Sequence, residues 1–201
     1  IIRVASDSRS TAVAGAIADG VADWLEDRGM TKVIVNNGGD IAIRTLPDEP
    51  VRVGLRPDLA TSPITDSITL EGGPGRWGVA TSGLEGRSLT RGVASAATVI
   101  AGSAAMADAA ATALANASFI QDESVRQVPA RELDDHSDIP DLYVTVQAGP
   151  FSEEKKRTAL NQALDAAEQL INKGLILGAW VVVDGKADMT DFVRDRRWTD
   201  Q

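Results

Sequence analysis

The sequence predicts a single α+β domain in which mixed, largely antiparallel sheets pack against helices. Two long segments show helical spacing of apolar residues, a third is rich in alanine, and most of the strand-like runs follow one another through turns rich in glycine. The order is a helix, about six strands, a helix, a strand, a helix and a strand. Regular alternation of strand and helix is missing, which favours hairpins over a doubly wound sheet.

The first helix is predicted over residues 10–28, with Ser10 as its N-cap and Gly29 as its stop. Large apolar residues recur in it at helical spacing, and we expect this stripe to face the core. The stripe consists of Val13, Ile17, Val21, Trp24 and Leu25.

Six strands are predicted next, over residues 32–36, 41–46, 51–56, 64–71, 77–81 and 97–101. The turn Asn37–Asp40 joins the first two, and its Asn-Gly and Gly-Asp pairs predict a hairpin. Many glycines between residues 72 and 92 predict a long loop region.

An alanine-rich helix is predicted over residues 103–118. The stretch from Ala94 to Ser118 contains thirteen alanines, Ala94 included, and a single charged residue, Asp108. Such a helix is thin and apolar on nearly every side, so we expect it to be buried.

The last third of the chain is predicted to begin with an irregular, acidic surface segment over residues 121–141. A strand (142–147), a helix (153–173) capped by Ser152, and a buried strand (176–183) follow. We expect the charged tail from Lys186 to be peripheral, with Trp198 as an anchor.

Composition excludes several kinds of site. The 201-residue chain has a net charge of −9, one histidine and no cysteine. A disulfide framework, a cysteine nucleophile, a cysteine-ligated zinc and a multi-histidine metal site are therefore excluded within it. The acidic balance argues against nucleic acid or a membrane as the main partner, yet permits a small phosphate-bearing ligand.

The domain is taken to span residues 1–201. The chain starts with Ile1-Ile2 instead of Met, and we expect an N-terminal portion to be missing. No secretory signal or transmembrane span is visible, and the lack of cysteine fits a cytoplasmic protein.

Asp108 and Thr112 are the leading candidates for chemistry. Four residues apart on a helix, they share one face. A buried carboxylate needs a partner, and a carboxylate with a hydroxyl can hold a hard cation such as Mg²⁺. Alternatively, Thr112 bonds its own helix and Asp108 favours the helix dipole.

Two loops are further candidates. The glycines of Asn37–Asp40 let backbone amides approach a phosphate or a flavin ring, although an ordinary hairpin turn is the simpler interpretation. Thr81–Gly83, followed by Arg87 and Arg91, has the donors for an anion, or serves only as a turn. His136 lies in an acidic loop and is interpreted as a surface residue.

Taken in order, three motifs resemble the ApbE family of FAD:protein FMN transferases, once called thiamine biosynthesis lipoproteins. They are Asn37–Ile41, Val79–Gly83 and Ala107–Ala113. This chain resembles a short ApbE-like branch of bacteria and archaea more than it resembles the transferases themselves. The resemblance to it is carried by Gly86–Ser88, Ala115–Ala117, Val128–Leu133, Val144–Val146 and Gly149–Pro150.

The resemblance implies an ApbE-like fold, a flavin nucleotide such as FAD, and Mg²⁺ as cofactors. It implies that Asp108 and Thr112 hold the metal, and that FMN passes to a Ser or Thr of a target protein. The residues it implies for the flavin pocket are Asn37, Gly38, Gly39, Asp40, Thr81, Ser82 and Gly83. A homo-oligomer, in which the partner is a second copy of the chain, is a further interpretation.

One stretch departs from the family. The transferases carry a segment similar to His-Ile-Ile-Asp-Pro after the Thr-Ser-Gly loop, whereas this chain has Leu89–Ser95, without histidine, aspartate or proline. Two alternatives therefore stay open. The first is another enzyme on this scaffold, such as a hydrolase or small-molecule catabolic enzyme using Thr81–Gly83 as an oxyanion or nucleophile site. The second is a non-catalytic binding module.

Overall fold

The computed structural model describes residues 12–56, 64, 66–71, 75–84, 86 and 89–199, without the side chains of Trp198 and Thr199. Within those residues, the helices are α1 (Val13–Glu26), α2 (Ala104–Ala117), α3 (Glu153–Asn172) and the short α4 (Asp191–Arg194). The strands before α2 are β1 (Val33–Asn37), β2 (Asp40–Arg44), β3 (Val51–Leu55), β4 (Asp66–Leu70), β5 (Arg76–Ser82) and β6 (Ala96–Ala101). Those after it are β7 (Arg126–Pro129), β8 (Tyr143–Gln147), β9 (Gly178–Val183), β10 (Lys186–Met189) and β11 (Arg197–Thr199).

Across the described ranges, these strands form three antiparallel sheets. A six-stranded sheet has the order β1-β2-β5-β6-β9-β10, a smaller one has the order β11-β4-β3, and β7 pairs with β8. Helices α1, α2 and α3 cover one face of the six-stranded sheet, and the three-stranded sheet covers the other. The predicted α+β class is confirmed, with three layers in which the large sheet is central.

Helix α1 is present, but the prediction of its buried face is wrong. The residues it buries are small: Gly15, Ala18 and Ala22. The predicted stripe is exposed at four of its five positions, with Val13 at 51%, Ile17 at 55%, Val21 at 44% and Trp24 at 54%. Only Leu25 packs, half-buried, against the core. The predicted cap Ser10 lies outside the described residues.

A close approach of two helices explains this reversal. A Cβ atom added to Gly15 would lie 2.4 Å from the carbonyl oxygen of Ala104, the first residue of α2. Such a crossing requires small residues on the inner side of α1. The large apolar side chains consequently point outwards.

Helix α2 is buried, as its alanine content predicts. It packs on β5 and β6 and lies between α1 and α3. Ser103 caps it by accepting a hydrogen bond from the backbone N–H of Met106 (3.2 Å). The predicted cap of α3 is also confirmed, since Ser152 Oγ accepts from the N–H of Lys155 (3.3 Å).

Two further expectations are wrong. Residues 121–141 are not wholly irregular, because they contain β7 and a 3₁₀ turn at Ala130–Glu132. The tail is not peripheral either: β10 forms an edge of the large sheet, Val193 of α4 is buried, and β11 pairs with β4. The ion pair between Arg197 and Asp66 (2.6 Å) joins residues 131 apart in the sequence, a separation that local patterns do not reveal.

None of the helices within the described ranges is both long enough and apolar enough to span a bilayer.

Candidate functional site

The predicted hairpin forms at one end of the large sheet. Asn37 pairs with Asp40, and between them Gly38 and Gly39 have φ values of 72° and 116°, in the left-handed region that favours glycine. The side-chain amide of Asn37 donates to the carbonyl of Ala14 (3.1 Å). The tip of the hairpin is therefore fastened to the start of α1.

A pocket of about 420 Å³ lies beside this tip, on the face of the sheet that the three-stranded sheet covers. Its walls include Gly38 and Gly39 of the hairpin, Val53 of β3, Thr81 of β5, and Arg56. The hydroxyl of Thr81 shares a 2.8 Å hydrogen bond with that of Thr98, which also lines the pocket. This volume is typical of small-molecule sites.

The Thr81–Gly83 loop is divided between the two faces of the sheet. Side chains alternate along a strand, so Ser82 faces the helices while Thr81 faces the pocket. Ser82 is buried, and its hydroxyl has no hydrogen-bond partner among the described residues. At Gly83 an added Cβ would lie 2.4 Å from the carbonyl oxygen of Ser95, so this glycine permits a close backbone contact.

Asp108 projects from α2 towards the first turn of α1. Its Oδ2 accepts a hydrogen bond from the N–H of Gly15 (3.1 Å). Burial raises the pKa of the Asp108 carboxyl, and the Gly15 hydrogen bond opposes this increase. Thr112, one turn further along α2, is buried.

Asp40 lies on the same side of the sheet as Asp108. Side chains alternate along β2, and Ile41 faces the pocket, so its neighbour Asp40 points towards the helices. Burial raises the pKa of Asp40, and the negative charge of Asp108 raises it further, to about 6. No basic side chain contributes to either shift, so the two carboxylates lie near each other without a cationic partner among the described residues.

The structure therefore brings the candidates together in two groups that meet at the hairpin. Gly38, Gly39 and Thr81 line the pocket, whereas Asp40 and Asp108 form a carboxylate pair on the opposite face. Asn37 holds the hairpin tip against α1 through its hydrogen bond to Ala14. Ser82 is buried on the side of the sheet that the helices cover, and Thr112 lies one turn after Asp108 on α2.

Sequence reasoning missed Asp19. This carboxylate of α1 accepts hydrogen bonds from the N–H groups of Ala104 (3.0 Å) and Ala105 (2.9 Å), and from Nη2 of Arg44 (3.0 Å). It thus caps α2, while Asp108 of α2 binds an amide of α1. An acidic residue on the small-residue side of α1, next to Ala18, was the signal that could have identified it.

The stretch that departs from the family pattern packs against the end of α2. Asn116 Oδ1 accepts from the N–H of Arg91 (2.8 Å), and Ser118 Oγ accepts from the N–H groups of Val93 and Ala94 (both 2.9 Å). The Arg91 residue is exposed, as is His136, and Arg87 lies outside the described residues.

The sequence of this chain matches a known family and several curated relatives. The chain matches the family model described as AbpE bacteria over residues 9–189. A UPF0280 protein of Methanothrix thermoacetophila is 46% identical over 109 residues, which are 53% of this chain and 44% of that relative.

The fold is shared with a solved structure. The crystal structure of the ApbE protein from Thermotoga maritima has a TM-score of 0.56 and 19% identity, over 93% of this chain and 52% of that one. The structure of the flavin transferase ApbE from Vibrio cholerae has a TM-score of 0.49 and 19% identity, over 93% of this chain and 51% of that one. The chain therefore spans about half the length of the relatives it matches.

Proposed function

The chain belongs to the bacterial ApbE-like family, and from this premise we propose that it binds a flavin nucleotide with Mg²⁺ and transfers FMN from FAD to a Ser or Thr of a target protein. The observation that carries the proposal is the position of the hairpin tip. Gly38 and Gly39 line a pocket on one face of the sheet, and Asp40 beside them lies near Asp108 on the other.

The carboxylate side of this site has the chemistry of a Mg²⁺ site. Two half-buried carboxylates, Asp40 and Asp108, have raised pKa values and no cationic partner among the described residues. A bound cation would stabilise the charged form of both. Asp108, Thr112 and Asp40 would supply oxygen ligands, which Mg²⁺ prefers.

The small number of carboxylates favours a metal shared with a ligand. The described residues contain no group of three or more Asp, Glu, His or Cys side chains placed to hold an ion. Mg²⁺ often uses one or two carboxylates and takes its remaining ligands from water and substrate phosphates. This arrangement suits a nucleotide better than a purely structural metal site.

The pocket side offers groups for the nucleotide. The hairpin glycines allow backbone amides to approach it closely, Thr81 and Thr98 present hydroxyls, and Arg56 provides a positive charge. When bound, Mg²⁺ would neutralise the pyrophosphate. In the transfer, a bond forms between the acceptor hydroxyl oxygen and the FMN phosphorus, and the bond from that phosphorus to the bridging oxygen breaks. AMP leaves with this oxygen and its electron pair, and the proton of the acceptor hydroxyl passes to water.

Calorimetry with FAD, FMN and ADP, each with and without Mg²⁺, tests the proposal. We expect FAD to bind only weakly without Mg²⁺, and Asp108→Asn to remove the Mg²⁺ dependence while the protein remains folded. Asp165→Asn is the matched control, because Asp165 is an exposed aspartate on α3. Equal Mg²⁺-dependent FAD binding by wild type and Asp108→Asn would contradict the metal assignment.

Flavin binding without transfer is the second candidate function. The stretch Leu89–Ser95 favours it, since this segment lacks the family's histidine and packs against α2. Release of AMP from FAD, together with flavin fluorescence retained on a denatured acceptor protein, would distinguish the two. Mg²⁺-dependent FAD binding without AMP release would support the binding module.

A further inference from the structure

The outer face of α1 is apolar along almost its entire length. It consists of Val13, Ala16, Ile17, Gly20, Val21 and Trp24, all of them exposed. A surface helix ordinarily turns such residues to the core and its charges to solvent. Here the arrangement is reversed, and exposed apolar faces of this kind mark interaction sites.

The charges of α1 point away from this face. Asp19 is turned to Arg44 and the first amides of α2, and Asp23 forms ion pairs with Arg44 (2.8 Å) and Arg76 (3.2 Å). In a chain with a net charge of −9, the outer face of α1 therefore carries neither Asp19 nor Asp23, and the charge that lies on it is the guanidinium of Arg28 over Trp24. Two copies can approach each other here with little repulsion between carboxylates.

Trp24 is held in place on this face. The guanidinium of Arg28 lies 3.7 Å from the centroid of the Trp24 ring and donates to the Trp24 carbonyl (3.0 Å). A tryptophan that is already ordered loses little entropy on association, and tryptophans often dominate the energy of interfaces.

The face is also complementary to itself. At helical spacing, the exposed side chains of Ile17, Val21 and Trp24 form one ridge, and the small residues Ala16 and Gly20, four residues apart, leave a shallow groove beside it. Among the described residues, nothing lies within 4 Å of a Cβ atom added to Gly20, so packing within this part of the chain does not require this glycine. An antiparallel pair of α1 helices would place ridge into groove and oppose the two helix dipoles.

The area of the outer face, fully buried in a pair, is at the lower limit for a specific contact. Half-exposed residues of these sizes present on the order of 500 Å² per copy, or about 1,000 Å² in a pair, which reaches the lower range of specific interfaces. We propose that the outer face of α1 is the contact surface between two copies of this chain, related by a two-fold axis near Gly20.

Cysteine cross-linking tests this contact cleanly, because the chain has no cysteine of its own. In a two-fold pair, residue 20 of one copy lies next to residue 20 of the other, so Gly20→Cys should form a disulfide-linked species of twice 21.1 kDa on mild oxidation. Gln162→Cys, at an exposed position on α3, is the control and should form no disulfide-linked species under the same oxidation.

Light scattering on the unmodified chain and on Gly20→Glu completes the experiment. We expect a dimer for the unmodified chain and at least about tenfold weaker association for Gly20→Glu. The open space at Gly20 means that this variant should retain its fold, which circular dichroism checks. A monomer at all concentrations would overturn the proposal. A Gly20→Cys variant that neither cross-links nor reacts with a thiol reagent would also overturn it, by showing that another segment covers the face.

Discussion

Asp19 and Asp108 occupy equivalent places at the crossing of α1 and α2, but their surroundings differ. Each carboxylate reaches across to the start of the other helix: Asp19 binds the amides of Ala104 and Ala105, and Asp108 binds the amide of Gly15. Asp19 also has a cation, the buried Arg44. Asp108 has instead a second carboxylate, Asp40, as its neighbour.

This difference separates a structural acid from a candidate functional one. The charge of Asp19 is already compensated within the fold, so it contributes mainly to stability. The charges of Asp108 and Asp40 raise each other's free energy, and a bound cation would relieve this. Both carboxylates bind amides at the start of a helix, so this position alone does not separate a structural acid from a functional one. The charge of the neighbouring side chain does.

Removing Asp19 should have the largest effect. Asp19→Ala leaves the guanidinium of Arg44, which is 2% exposed, with one of its two carboxylate partners, and leaves the amides of Ala104 and Ala105 at the start of α2 without their acceptor. We expect a loss of about 3–5 kcal/mol in the free energy of unfolding, measured by urea denaturation.

Asp108→Ala is the comparison for that experiment. It removes one hydrogen bond but also the repulsion with Asp40, so its unfolding free energy should change by less than about 1 kcal/mol. Equal losses for Asp19→Ala and Asp108→Ala would break the distinction between the two acids.

Gly15→Ala should have the next largest effect, because Gly15 sets the distance between the two helices. The added methyl group would meet the carbonyl oxygen of Ala104 at 2.4 Å and push α1 from α2. We expect a loss of about 1–3 kcal/mol in the free energy of unfolding. An unchanged melting temperature would show that the crossing is looser than described.

Much of the fold could be predicted from local patterns. The hairpin at Asn37–Asp40, the alanine-rich α2 and the cap at Ser152 follow from turn chemistry, composition and capping, which act over a few residues. The orientation of α1 could not be predicted in this way. Apolar periodicity locates a helix, but the Gly15–Ala104 contact that decides which side is buried joins distant segments.

The site was predictable to a similar degree. Asp108 is conspicuous as the single charge in an alanine-rich helix, and glycines flag the hairpin. The approach of Asp40 to Asp108, 68 positions later, depends on how α2 packs on the sheet, and the pairing of β11 with β4 is equally non-local. The role of Asp19 is hard to predict from the sequence, because acidic residues are common in surface helices.

A smaller effect is expected in the pH dependence of stability without Mg²⁺. The pKa of Asp40 is about 6 in the folded protein, above the ordinary 3.8, so between these values the folded state binds more protons than the unfolded state. The contribution of Asp40 to the free energy of unfolding should therefore fall as pH rises through this window. Urea denaturation across it should show this fall in wild type and a flatter profile in Asp40→Asn.

NMR titration of the Asp40 carboxyl carbon tests the central claim most directly. We expect a midpoint near 6 in the wild type without metal. In Asp108→Asn the midpoint should be lower but still above 3.8, because burial is the larger cause of the shift. Saturation with Mg²⁺ and FAD should lower it as well. An Asp40 that titrates near 3.8 and is unaffected by Asp108→Asn would contradict the claim that these two carboxylates form a pair without a cation.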